Sequence, residues 1–134
     1  MVPFEFLIRC RPVSQQTRHR QRLRDWKDYV KQEALKYWPA DQNPAEGPVC
    51  LTLIYLYEEA ALDVDNIIKP IQDALVGITF QDDTIVTDVI GRRRRLDGSF
   101  DLTHASSVLI EGFEIGGEFV YVQVGDAPPQ EQLL

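Results

Sequence analysis

Residues 49–77 read VCLTLIYLYEEAALDVDNIIKPIQDALVG, and this stretch decides the fold. Residues 49–57 form a nearly continuous apolar run rich in β-branched and aromatic side chains, which is typical of a central strand covered on both faces. After Asp65, apolar residues recur at helical spacing as far as Leu75, and Gly77 can end a helix. The stretch therefore predicts a buried strand followed by an amphipathic helix that begins near Asp65 or Asn66.

Towards the N-terminus, the sequence predicts a strand over residues 3–10 and a helix over about residues 17–38. A three-proline loop over residues 39–48 separates this helix from the central strand. The helix has one apolar stripe and, on a different face, a basic ridge about three turns long. The ridge consists of Arg20, Arg24, Lys27 and Lys31.

Towards the C-terminus, residues 84–95 predict a strand that ends in four arginines, and residues 97–104 predict a loop. Residues 106–115 and 118–124 are interpreted as two strands of a hairpin that turns at Gly116–Gly117. The whole pattern predicts one α/β (α+β) domain over residues 1–125, with a mixed sheet and two main helices. Residues 126–134 are predicted to form a disordered tail.

Composition limits the class of protein. The chain of 134 residues carries a net charge of −7, but residues 1–36 carry +5, residues 37–91 carry −9 and residues 92–134 carry −3. An acidic centre between basic clusters is consistent with a metal site flanked by phosphate contacts. No apolar run is long enough to span a membrane, and the two isolated cysteines predict reduced thiols in a cytoplasmic protein.

The acidic residues at the start of the second helix are candidates for a metal site. Asp63 and Asp65 stand two apart, so in an extended stretch both carboxylates would point the same way and could hold a hard cation such as Mg²⁺. Lys69 follows one helical turn later, where its ammonium could bind a phosphate. The chain after the helix could place a third carboxylate, from Asp82 or Asp83, beside the first two. Taken separately, these residues are also typical of helix caps and solvated turns.

The pattern Asp-x-Asp-Asn-x-x-Lys-x-x-x-Asp-Ala-Leu over residues 63–75, followed by Asp82–Asp83, resembles the core motif of RusA-type Holliday junction resolvases. The resemblance implies a homodimeric nuclease that uses Mg²⁺ or Mn²⁺ and cuts branched DNA, such as a four-way junction, in paired nicks. It assigns the catalytic carboxylates to Asp63, Asp65 and Asp83, and the essential lysine to Lys69. The link before Asp82–Asp83 is about one residue short, so Asp82 remains an alternative to Asp83. Residues 96–114 look like an insertion.

The two basic clusters are predicted to contact DNA phosphates, which would position DNA without reading bases. The second cluster consists of Arg92, Arg93, Arg94 and Arg95, and alternation along a strand allows at most two of them to face the same partner. Either cluster could instead be a solvated surface. Two other functions remain open: a nuclease for other branched substrates, and a metal-stabilised nucleic-acid-binding module without turnover.

Overall fold

Four strands form one mixed sheet in a computed structural model that describes residues 3–134. The order across the sheet is β1-β4-β2-β3, in which β2 pairs with β3 in parallel and the other two pairings are antiparallel. The strands are β1 (Phe4–Ile8), β2 (Val49–Tyr57), β3 (Val86–Arg95) and β4 (Phe119–Asp126). The predicted α+β class with a mixed sheet is confirmed, and β2 has the predicted bounds.

Helices α1 (Arg20–Tyr37) and α2 (Val64–Leu75) cover one face of the sheet. The apolar stripe of α1 is buried there, together with the predicted apolar face of α2 and the odd-numbered residues of β2. Helix α2 crosses β3 at Gly91, where an added Cβ would lie 2.5 Å from a methyl carbon of Val64. A glycine at this position therefore lets the helix approach the sheet closely.

Pro70 lies inside α2, in its second turn, since the helix begins at Val64. Proline has no N–H, so the carbonyl of Asn66, four residues earlier, lacks its usual helical donor. The backbone N–H of Gln15 donates to that carbonyl at 2.8 Å. The loop before α1 is thus hydrogen-bonded to α2 through the group that the proline leaves open.

The hairpin predicted for residues 106–124 is wrong in its first half, because residues 107–115 form a third helix, α3 (Ser107–Ile115). Ser106 caps this helix by accepting a hydrogen bond from the N–H of Leu109 at 3.2 Å. Gly116 and Gly117 then connect a helix to a strand, with φ angles of 81° and 82°. Helix α3 packs on the second face of the sheet through Phe113 and Leu109.

The remaining boundaries differ little from the predictions. Helix α1 starts at Arg20, three residues later than expected, and a short 3-10 helix (Asp83–Ile85) precedes β3. Strand β4 extends to Asp126, and the N–H of Ala127 donates to the carbonyl of Pro48 at 3.2 Å. The first two residues of the predicted domain 1–125 lie outside the described residues. Over residues 3–134, no helix is long and apolar enough to cross a membrane.

Candidate active site

The two acidic residues at the start of α2 occupy different structural positions. Asp63 is the N-cap residue with extended backbone, and Asp65 lies in the first helical turn. The extended geometry expected for this pair is therefore wrong, because a helix rotates successive residues by about 100°. Both side chains are exposed, and the positive end of the helix dipole favours carboxylates here.

Lys69 joins two carboxylates on the exposed side of α2. Its Nζ lies 2.8 Å from Oδ1 of Asp73, one turn further along the helix, and 3.4 Å from Oδ2 of Asp83. The sequence had suggested that the return after α2 could bring an acid to this region. The structure places Asp83 beside Lys69 by means of that return.

The turn after α2 determines which member of the Asp82–Asp83 pair faces the helix. Gly77 adopts a φ of 83°, which an L side chain rarely adopts, and its N–H donates to the carbonyl of Phe80 at 2.8 Å. Asp82 then caps the 3-10 helix by accepting from the N–H of Thr84 at 3.2 Å. Asp83, the next residue, contacts Lys69.

The basic ridge of α1 borders this cluster. Nζ of Lys27 lies 3.3 Å from Oδ2 of Asp73, so Asp73 receives Lys69 on one oxygen and Lys27 on the other. At the start of the ridge, Arg20 donates to the backbone carbonyls of Gln15 and Thr17. Lys31 is exposed at the far end. The ridge and the acidic cluster therefore form one continuous surface on the helical side of the sheet.

The four arginines of β3 divide between the two faces of the sheet, as alternation predicts. Arg93 pairs in register with Tyr55, whose ring is buried under the helices, and Arg92 and Arg94 pair with residues of the opposite face. The Nη1 of Arg93 lies 3.7 Å from Oδ1 of Asp63 and 3.2 Å from the carbonyl of Leu62. Of the four, Arg93 is the one that contacts a predicted catalytic residue. Arg95 instead bonds Asp97.

The three predicted metal ligands have the right chemistry for a hard cation, but their side chains are not arranged around a common point. Asp63, Asp65 and Asp83 supply carboxylate oxygens, the ligand type that Mg²⁺ prefers. Among residues 3–134, however, no three Asp, Glu, His or Cys side chains are grouped so that they could hold a metal ion. Arg93 and Lys69 pair with two of the three carboxylates. Binding a cation would require these side chains to exchange partners.

Electrostatics within the cluster favour its charged forms. The pKa of Lys69 is raised, chiefly by its hydrogen bond to Asp73 and further by Asp83. The pKa of Asp82 is lowered, first by its interaction with the neighbouring Asp83 side chain and then by the N–H of Thr84. The cluster is thus a set of compensating charges on an open surface.

Sequence reasoning missed a second polar network, which supports the segment that leads to Asp63. The hydroxyl of Tyr55 donates to Glu118 at 2.6 Å, the backbone N–H of Glu58 donates to the same carboxylate at 3.1 Å, and Arg11 lies 3.3 Å from it. Glu118 is 60 residues from Glu58, so no local pattern could have revealed this contact. The role of Asp73 was visible in part, because Lys69 and Asp73 are spaced one helical turn apart.

The fold and the surface cluster define a small α+β protein with an exposed carboxylate and lysine site next to a basic helix. Residues 8–99, more than two thirds of the chain, match the family model described as Endodeoxyribonuclease RusA. The chain belongs to the RusA endodeoxyribonuclease family, whose members are hydrolases that act on branched DNA junctions. A search of curated proteins gave no match to the chain.

Proposed function

We propose that this protein is a Mg²⁺-dependent endonuclease that resolves four-way DNA junctions by paired phosphodiester hydrolysis in DNA recombination and repair. The observation that carries the proposal is the contact of Lys69 with Asp83, on the surface that the α1 ridge borders. Family membership supports the same activity class.

Asp63, Asp65 and Asp83 would hold Mg²⁺, or Mn²⁺ in its place. The ion, when bound, would supply a water of lowered pKa and would polarise the phosphate. Because Asp63 and Asp83 are paired with Arg93 and Lys69, these two cations would be released towards the DNA when the carboxylates turn to the metal.

Lys69 would place its ammonium group on the scissile phosphate. Positive charge aimed at the oxygens where negative charge develops stabilises the transition state of hydrolysis. Asp73 would keep Lys69 in place during this exchange, because their 2.8 Å contact lies within α2 and does not depend on Asp83.

The ridge of α1 would hold the DNA backbone beside the site. Lys27 is already fixed next to Lys69 through Asp73, and Arg24 and Lys31 extend the positive surface along the helix. Arg93 would add a contact on the Asp63 side. A homodimer would then present two such surfaces to the two-fold symmetric junction, which paired cuts require.

The test is a cleavage assay on labelled four-way junctions, flaps and linear duplex with Mg²⁺. The substitution Asp65→Asn removes one charge without changing shape, and it should lower cleavage by at least about 100-fold, the scale of a lost transition-state contact, while junction binding persists. Asp28→Asn, an exposed acid on α1, is the matched control and should cleave normally.

A second candidate function is a nucleic-acid-binding module without turnover. The ion pairs of Asp63 with Arg93 and of Asp83 with Lys69 favour it, because they give both acids a structural role. In that case Asp65→Asn and the unsubstituted protein would bind junctions equally, and neither would cut any of the three substrates.

A further inference from the structure

The second face of the sheet carries a groove that the nuclease site does not use. It lies between the C-terminal ends of β2 and β3 on one side and α3 with its preceding loop on the other, and its volume is about 200 Å³. Ile54 and Leu56 form the floor, and Leu109 and Phe113 of α3 form a wall. The interior is therefore mainly apolar.

The rim of this groove is charged. Arg92 and Arg94 stand on it, with Asp101 nearby. Within residues 3–134 neither arginine has a carboxylate partner, and Arg94 donates only to the carbonyl of Arg93, at 3.0 Å. Asp101 accepts hydrogen bonds from the N–H and hydroxyl of Thr103, which lower its pKa. Two unpaired guanidinium groups above an apolar floor favour an amphipathic, negatively charged ligand.

The chemistry of the interior distinguishes a peptide from a nucleobase. A buried base must satisfy the donors and acceptors on its edges, because an unpaired buried polar group costs free energy. Among the side chains that line the groove, Arg92 and Arg94 can only donate, and Asp101 is the one acceptor, with its Oδ1 already bonded to Thr103. An aliphatic or aromatic side chain requires no such partners.

The position of the groove also separates it from the DNA surface. Arg92 and Arg94 lie on the face of the sheet opposite to Lys69, α1 and α2. The wall of the groove, from Phe100 through α3, lies beyond residues 8–99, which match the family model. This location favours a partner that binds while DNA occupies the helical side.

We propose that this groove docks an acidic peptide segment of a partner protein. A leucine or phenylalanine of the peptide rests on Ile54 between Leu109 and Phe113, and carboxylates on either side of it pair with Arg92 and Arg94. The inference concerns recruitment rather than cleavage, and it does not depend on the proposed nuclease activity.

The experiment uses fluorescein-labelled synthetic decapeptides with a central Leu, Phe, Ile or Trp flanked by Asp and Glu, titrated with the full chain and followed by fluorescence anisotropy. Leu102→Glu places a negative charge at the mouth of the groove and should weaken binding at least about tenfold, the effect of like charges brought together at an interface. Leu35→Glu is the matched control, since Leu35 is similarly exposed, at 44% against 38%, but lies on α1.

A second variant tests the charge argument without affecting the floor. Asp101→Asn removes the negative charge from the rim and should strengthen binding of the acidic peptides about two- to fivefold, the range of an exposed charge interaction. This variant should still bind the acidic peptides more tightly than peptides in which lysines replace the acids.

The outcomes separate three occupants. Binding of the acidic set that is weakened by Leu102→Glu and unchanged by Leu35→Glu supports the proposal. Preferential binding of labelled oligothymidylate at this groove overturns it in favour of nucleic acid. If no peptide binds and sedimentation shows that Leu102→Glu dissociates a dimer, the proposal is overturned and the groove is occupied by a second copy of this chain. Absence of binding to the whole peptide set also overturns it, whatever the cleavage assay gives.

Discussion

At the residue scale, the surface around α2 is governed by shared partners. Asp73 receives two lysines from different helices, and Lys69 in turn contacts two acids. Exposed ion pairs contribute little to stability individually. Their consequence here is positional, because each contact holds a side chain that the proposed reaction would use.

Lys31 tests the role of the α1 ridge. If it contacts a phosphate, Lys31→Met should reduce the slope of log binding constant against log salt by about 0.9, the value for one released counterion on duplex DNA. The measurement is junction binding between low and moderate salt. Lys36→Met serves as control, because Lys36 lies off the ridge and is paired with Glu33 at 2.9 Å. If the salt slope is the same for Lys31→Met as for Lys36→Met, Lys31 does not contact a phosphate of the junction.

Tyr55 tests the network under Asp63. Burial and, next, the hydrogen bond to Glu118 raise the pKa of Tyr55 above its ordinary value of 10. Its neutral form is therefore favoured by folding, and this stabilisation is complete below pH 10 and is lost as pH rises further. Tyr55→Phe should lower the unfolding free energy at pH 7 by about 1–3 kcal/mol, because a largely buried carboxylate loses a donor.

The unfolding free energies of this variant and of the unsubstituted protein, measured in urea, should converge above pH 10, because the unsubstituted protein loses the contribution of the hydroxyl there. Tyr37→Phe is the control, because Tyr37 is 60% exposed. A difference that stays constant from pH 7 to pH 11 would contradict the assigned role of the hydroxyl.

At the element scale, the sequence predicted those elements whose periodicity is strong and local. Strand β2 was predicted with its observed bounds, and α2 begins at Val64, one residue before the earlier of the two expected starts. Helix α3 was missed because its valine and isoleucines resemble a strand. The Ser106 cap supports its helical state, and Gly112 lets the Phe119 ring pack so closely against the helix that an added Cβ would lie 2.5 Å away.

The candidate site followed the same division. The spacing of Lys69 within α2 and the return to Asp83 could be anticipated, because both depend on local geometry. The contacts of Lys27 with Asp73 and of Arg93 with Asp63 could not, because they join segments separated by 46 and 30 residues and depend on how helices cross the sheet.

Pro70 provides a prediction at this scale. Pro70→Ala restores an N–H that can donate to Asn66, so it should compete with the backbone N–H of Gln15 for the same carbonyl. We expect amide hydrogen exchange at Gln15 to accelerate while the exchange of the β2 amides is unchanged. Protection at Gln15 that equals that of the unsubstituted protein would show that the loop does not depend on this bond.

At the scale of the whole molecule, the two faces of the sheet carry the two surfaces for which functions are proposed. The net charge of −7 is compatible with DNA binding, because the local distribution of charge matters as well as the sum, and the ridge gathers four basic residues along one face of α1. The second face carries its own cationic rim beside α3. Strand β3 contributes to both, through alternate residues.

The proposed homodimer gives a whole-molecule prediction. On a supercoiled plasmid that extrudes a cruciform, paired cuts within one complex should yield linear product directly, with little nicked circle. Lowering protein concentration below the dimer dissociation constant should slow cleavage more steeply than in proportion to concentration. Accumulation of nicked circle before any linear product, at every concentration, would indicate independent single cuts.

Strand β3 forms one outer border of the sheet, with β2 as its single neighbour. Such a border presents unpaired backbone groups that invite other chains to add to it, and charged side chains are the usual protection. We therefore expect the arginines at its end to have a second role, independent of any ligand, in preventing copies of the protein from pairing strand to strand. Replacing them all to study binding would also risk insolubility, so single substitutions are the safer design.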